Sequence, residues 1–219
     1  MIIDERMLAD HGARIKGDYT ISGVPLNTHY HQGVRQSGFT LHSQEPGLKM
    51  IELTVLFFGK DRPEIDQRKS LFDGMLFGKN ELCLDGYFYT VFCSSIGGSL
   101  YQGECLCEST YQFTGYKHGR LKKVTGNTLY CESTLPYTDC RVSVAASKAA
   151  SSYRVGGITY RNVKAGEKLV ADGICKRILI NGTPAADRAE WFRFPTLVPG
   201  KNIILCDDTV TVEYYPVYF

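Results

Sequence analysis

The sequence predicts a mainly β protein in two halves, the first carrying one helix and the second built as a sandwich or jelly roll of short strands. Three observations predict it. Apolar residues recur at every second position through Ile51, Leu53, Val55 and Phe57, and again through Val210, Val212 and Tyr214, the period of a strand with one buried face. Turn dipeptides punctuate the chain at Asp85-Gly86, Gly156-Gly157, Ala165-Gly166, Asp172-Gly173 and Asn181-Gly182. Only one stretch, about Arg62 to Phe77, carries its apolar residues at helical spacing.

The elements follow in order. Met50, Glu52, Thr54 and Leu56 alternate with the apolar set at 51–57, which gives a strong strand. The helix comes next. Asp61 is placed to cap it, Pro63 suits its first turn and Glu64 stands where a capping box wants a carboxylate. Ile65, Phe72, Met75 and Leu76 form its apolar stripe, Leu71 its margin, and Gly78 its terminator. Glu81-Leu82-Cys83-Leu84, Asp85-Gly86 and Tyr87 to Phe92 then read as a hairpin, because Asp-Gly supplies the positive φ angles of a two-residue turn. A seam is expected near Cys131 to Thr138, where strand signals pause around Pro136. Beyond it, strands are expected at Arg141 to Ala145, Ile158 to Val163, Lys168 to Ala171, Cys175 to Ile180, Ile203 to Leu205 and Val210 to Tyr215. Ala145 to Ser152 reads as a flexible loop. The domains are accordingly 1–135 and 136–219.

Composition excludes several classes of function. A chain of 219 residues holds one large β domain or two small ones. A net charge of +2 is too small for a nucleic-acid footprint, and no apolar run approaches the ~20 residues needed to span a bilayer. Met1 to Arg6 has no secretory pattern, so the product is expected to remain in the cytoplasm where it is made. The eight cysteines are therefore expected to be reduced, with Cys105 and Cys107 buried on the same strand face as Tyr111 and Phe113. No Cys-x-x-Cys or Cys/His pairing suggests zinc. His29 and His31 would share a strand face, but no third ligand follows at a recognisable spacing. Asn181-Gly182-Thr183 matches a glycosylation sequon and reads better as a hairpin turn, while Gly97-Gly98 marks a turn with no phosphate-binding helix after it. Neither a paired-carboxylate nor a nucleophile-elbow context appears, so no catalytic residue, metal or cofactor is assigned.

The last stretch is the most specific. Phe192 to Ile204 gives a strand, a Pro199-Gly200 turn and a short strand. An acidic loop at Asp207-Asp208 then leads into an edge-type final strand. The ordered set Ala165-Gly166-Glu167, Ala171-Asp172-Gly173, Ile180-Asn181-Gly182, Phe194-Pro195-Thr196-Leu197, Pro199-Gly200-Lys201-Asn202 and Tyr214-Tyr215-Pro216 resembles the C-terminal half of siphophage distal tail proteins. The helix segment Ile65 to Phe72 and the Leu84 to Tyr89 hairpin resemble that family's first half. The resemblance implies an N-terminal β-barrel-like ring domain and a C-terminal galectin-like jelly-roll β-sandwich. It implies a structural protein of the tail tip or baseplate of a phage or prophage. Six copies would form a ring between the tail tube and the tail-tip hub. Partners would be other copies of itself, the tube and hub proteins, the tape measure and a receptor-binding protein, with DNA passing through the lumen. There is no room for the carbohydrate-binding module inserted in some members. Ile65, Arg68, Lys69 and Phe72 on the helix are the candidate subunit contacts. Lys117, Arg120, Lys122 and Lys123 could line a lumen, and a solvated loop is the simpler reading. The rival reading is a carbohydrate-binding module in which Trp191 stacks on sugar, set against a Trp191 packed beside Phe192 and Phe194.

Overall fold

The computed structural model describes residues 2–34 and 37–219. The chain divides into two compact units, Met1–His118 with Phe219, and Gly119–Tyr218. The division falls seventeen residues before the domain boundary expected between 135 and 136. The reason is pairing: Lys122–Thr125 joins Thr211–Tyr214, and Thr128–Cys131 joins Gly200–Ile203, so both strands are committed to the second core.

In the first unit six strands lie in the order Ile2–Ile3, Asn80–Leu84, Tyr87–Ile96, Leu106–His118, Lys49–Phe58 and Ala13–Ile15. The two longest, Lys49–Phe58 and Leu106–His118, run antiparallel with Val55 opposite Ser109 and Phe57 opposite Cys107. The period-two pattern holds: Ile51, Leu53, Val55 and Phe57 are all buried. Helix Arg62–Met75 packs on these strands. Asp61 accepts the Glu64 backbone N–H at 3.0 Å, while Glu64 takes the N–H of Lys60 at 2.8 Å, one residue before the cap. Phe72 sits edge-on to Phe57 and Tyr111, with centroids 5.7 and 5.3 Å away. Of the expected apolar stripe, Ile65, Phe72 and Leu76 are buried, but Met75 is exposed. A second, short helix, Glu5–Asp10, went unread in the sequence; Asp4 caps it, accepting from Met7 N at 2.8 Å, and Leu8 is its single buried residue.

The second unit is a two-layer sandwich. One sheet runs Lys122–Thr125, Thr211–Tyr214, Thr138–Ala145, Lys168–Asp172, Arg177–Ile180, Thr183–Pro184. The other layer contains Ala150–Val155, Ile158–Val163 and Ala189–Trp191. Their inner faces meet in one core, with Val142, Leu169, Val212 and Tyr214 from one side and Tyr153, Val155, Ile158 and Tyr160 from the other. Val210, Val212 and Tyr214 are buried while Thr211 and Glu213 are half-buried, so the face assignment of the last long strand holds. Asn181-Gly182 has φ of +51° and +82° and joins Ile180 to Thr183, as expected of the hairpin turn. The stretch read as a flexible loop is half strand, since Ala150–Val155 pairs with Ile158–Val163. Cys175 lies outside the strand expected to contain it, in a turn where Asp172 Oδ1 accepts the backbone N–H groups of Ile174 and Cys175 at 3.1 and 3.0 Å.

Candidate assembly surface

The four helix residues expected at a subunit contact do not share a surface. Ile65 and Phe72 are fully buried in the first unit's own core, so they cannot meet another chain. Their helical spacing reads the inner face, because the same stripe that would serve an interface is consumed by the sheet beneath. Arg68 is tied down locally, donating to Phe58 O at 2.6 Å and to Glu64 Oε1 at 2.9 Å. Lys69 donates to Asp73 Oδ2 at 2.6 Å, and Tyr111 donates to Asp73 Oδ1 at 2.6 Å. Burial, reinforced by that bond, pushes the Tyr111 hydroxyl far above its usual range. This is a structural network joining helix to sheet.

The unpartnered surface lies elsewhere in the first unit. Leu26–His31 and Thr40–Pro46 form a two-stranded arm, bonded to each other and, among the described residues, to no other strand. Every residue of Leu26–His31 is exposed. Tyr30 and Phe39 pack edge-on at 6.0 Å yet stay 61% and 68% exposed, and Leu26 and Leu41 are also open to solvent. His29 and His31 lie on this arm, and the ladder slips beside them because His42 of the facing strand is left over between the pairs Tyr30–Leu41 and His29–Ser43. Among the described residues no group of three metal-ligating side chains gathers. The strand read at His29 and His31 is present, but the rest of the arm went unread because its strands lack a buried face: polar residues alternate with apolar ones, yet neither side meets a core.

The same unit holds an apolar groove of about 500 Å³ where the end of helix Arg62–Met75 meets the strand Tyr87–Ile96. Leu76, Phe77, Phe92, Cys93 and Ile96 line it, and Phe77 is 84% exposed.

The remaining candidates fall as follows. All eight cysteines are free; Cys107 is buried beside Tyr111 as expected, but Cys105 is exposed because the strand begins one residue later, at Leu106. Lys122 and Lys123 lie in a strand, not a loop, and pair with Glu132 and Glu213. Lys117 sits over the Tyr87 ring, 3.4 Å from its centroid. Trp191 is not packed away: it lies on an edge strand, 43% exposed, with its ring centroid 6.2 Å from that of Phe194, and Phe192 beside it is fully exposed.

No family model and no curated protein matches the chain. Solved structures do. The Dit protein of phage SPP1, described as a paradigm of the hub adsorption apparatus in phages infecting Gram-positive bacteria, superposes with a TM-score of 0.73 at 12% identity, over 97% of this chain and 96% of that one. A chain of the phage P2 baseplate in its activated conformation with calcium gives 0.54 at 8% identity, over 95% and 92%. The strontium form of that baseplate gives 0.53 at 8% identity, over 95% and 91%. The fold is therefore that of phage distal tail and baseplate proteins, across both units.

Proposed function

We propose that this chain is a structural protein of a phage or prophage tail. Copies of it close into a ring, six by the family likeness, that joins the tail tube to the tail-tip hub and serves as a docking platform at the distal end of the virion. The first unit forms the ring, and the second stands as the peripheral sandwich. The role asks for no catalysis.

The observation that carries this reading is the arm at 26–46. A two-stranded hairpin is marginal alone in water, and this one leaves Leu26, Tyr30, Phe39 and Leu41 exposed. A surface so built is complete only against another chain. The groove lined by Phe77, Phe92 and Ile96 is a second apolar surface, different from the arm and on the same unit. Two unlike, complementary patches on one molecule give head-to-tail contacts, and head-to-tail contacts close rings. The arm of one copy seated in the groove of the next is the contact we assign.

The test is negative-stain microscopy and light scattering of the purified chain, alone and with its tail-tube partner. Rings, or smaller oligomers that close when the partner is added, are expected. A Tyr30→Asp, Phe39→Asp double variant should stay monomeric with an unchanged thermal melt, because neither residue belongs to a core. A strictly monomeric wild-type chain at high concentration, together with no ring density in tails, would sink the reading.

A further inference from the structure

The second unit carries a cleft that the ring does not use. It has a volume of about 200 Å³ and lies beside the Gly156-Gly157 turn, lined among others by Arg154, Arg193, Phe194, Pro195, Thr196 and Leu205. The local backbone explains it. Gly156 has φ of +56°, and a Cβ there would meet Val142 Cγ2 at 3.2 Å and Pro195 Cβ at 3.3 Å, so glycine lets the 193–196 segment run close under the hairpin.

Three features converge here. Arg154 and Arg193 are both exposed, and neither is paired with a carboxylate among the described residues. Nearby acids have other partners: Asp139 pairs with Lys176 at 2.8 Å, Glu190 with Arg161, and Asp207, which shares an adjoining cavity with Arg154, with Lys148 at 3.5 Å. Lys176 stands 5.7 Å from the Phe194 ring centroid with its charge matched by Asp139, so the charge left over at the cleft is that of Arg154 and Arg193. Phe194 extends into an aromatic run with Trp191 and the fully exposed Phe192. Guanidinium groups grip phosphate through paired hydrogen bonds, and flat aromatic faces take the apolar face of a sugar ring.

We propose that this cleft binds a phosphorylated sugar unit, as a repeat of an anionic surface glycopolymer, with Arg154 and Arg193 on the phosphate and the Trp191–Phe194 run against the sugar. The volume is below the roughly 300–1,000 Å³ of sites for drug-sized ligands, so it fits one repeat unit and not an oligosaccharide. Single-stranded nucleic acid also offers phosphates and flat rings, but its binding sites track several phosphates along a basic groove, and this chain has a net charge of only +2. The inference deepens the tail reading by giving the peripheral sandwich a surface to recognise.

The experiment titrates the full chain with glucose 1-phosphate, glucose, inorganic phosphate and an oligothymidylate, read by calorimetry and by quenching of the single tryptophan. Glucose 1-phosphate is expected to bind and to quench Trp191, with glucose and phosphate each weaker by about tenfold or more. Arg154→Ala and Arg193→Ala should each weaken it about tenfold with unchanged melts. Equal binding of inorganic phosphate reduces the site to an anion hole and overturns the proposal. Tighter binding of oligothymidylate overturns it in favour of nucleic acid, and no binding of any of the four probes overturns it outright. Microscopy of the same variants separates the two readings: rings without sugar-phosphate binding sink this proposal alone, and binding without rings sinks the assembly alone.

Discussion

Single side chains decide the face of the last long strand, and adjacent residues there should differ sharply. Val212 is wholly buried between Val124 and Val142 on the neighbouring strands, while Thr211 is half-open. Val212→Asp strands a carboxylate in the core and should cost roughly 3 kcal/mol or more, enough to unfold a small domain. Thr211→Asp should stay within about 0.5 kcal/mol. Thermal melts of the two variants check this, and equal damage would mean the faces are reversed. A second residue-scale expectation concerns acid. Asp208 accepts from the Tyr153 hydroxyl and from the Ser147 backbone N–H at 2.8 Å, which holds its carboxyl down at about 2. A carboxyl lowered by folding stabilises fully above its unfolded value of ~3.9 and loses that contribution as pH falls toward the folded one. The wild-type melting temperature should therefore drop more steeply between pH 4 and 2 than that of Asp208→Asn, and parallel curves would show that the contact carries nothing. At this scale alternation was legible wherever both strand faces were defined, as at Val210, Val212 and Tyr214. It failed at Cys105, one residue before its strand begins, and at Ile65 and Phe72, whose helical stripe cannot say whether the surface beneath belongs to the same chain.

Elements were legible where turn chemistry or capping fixed their ends. Asp85 and Gly86, with φ of +49° and +78°, close the hairpin read from Asp-Gly, and Asp61 caps the helix read from its first turn. Asp61→Ala should cost about 1 kcal/mol, since it frees one backbone donor at the helix start; a urea titration would show it as a lowered midpoint at constant slope. Gly115 is a harder constraint that composition gave no hint of. It faces Val91 across the sheet, and a Cβ would lie 2.0 Å from Thr90 O and 2.8 Å from Val91 Cα. Gly115→Ala must part the strands Tyr87–Ile96 and Leu106–His118, so it should cost more than the cap despite adding one methyl. If it melts with the wild type, the sheet is looser there than these distances allow. Strands such as Lys122–Thr125 and Ala150–Val155 escaped notice because their exposed positions are lysine, serine and arginine, and their buried positions are too few to set a period. The arm hides for the opposite reason, having apolar residues but no core to face.

At the scale of the whole molecule, the order of turn motifs carried the fold even though no one motif is specific, while the unit boundary depended on pairings between residues 69 to 92 positions apart that no local pattern records. The proposed arm-to-groove contact would answer to salt and temperature in a way that ordinary composition does not reveal. The arm presents Leu26, Tyr30, Phe39 and Leu41, and the groove presents Leu76, Phe77, Phe92 and Ile96. Contact between them would remove apolar surface from water and leave the ionic pairs of helix Arg62–Met75, Glu64 with Arg68 and Lys69 with Asp73, inside their own chain. A ring held this way is driven by the hydrophobic effect, which gains at moderate salt and weakens on cooling. A ring held by Arg68 and Lys69 against a neighbour's carboxylates would instead dissociate as the Debye length shrinks from about 30 Å at 0.01 M to about 3 Å at 1 M. Sedimentation of the purified chain across that salt range, at two temperatures, distinguishes the cases. The oligomer should persist or grow with salt and should loosen in the cold. Dissociation at high salt would transfer the contact from the arm and groove to the charged face of the helix.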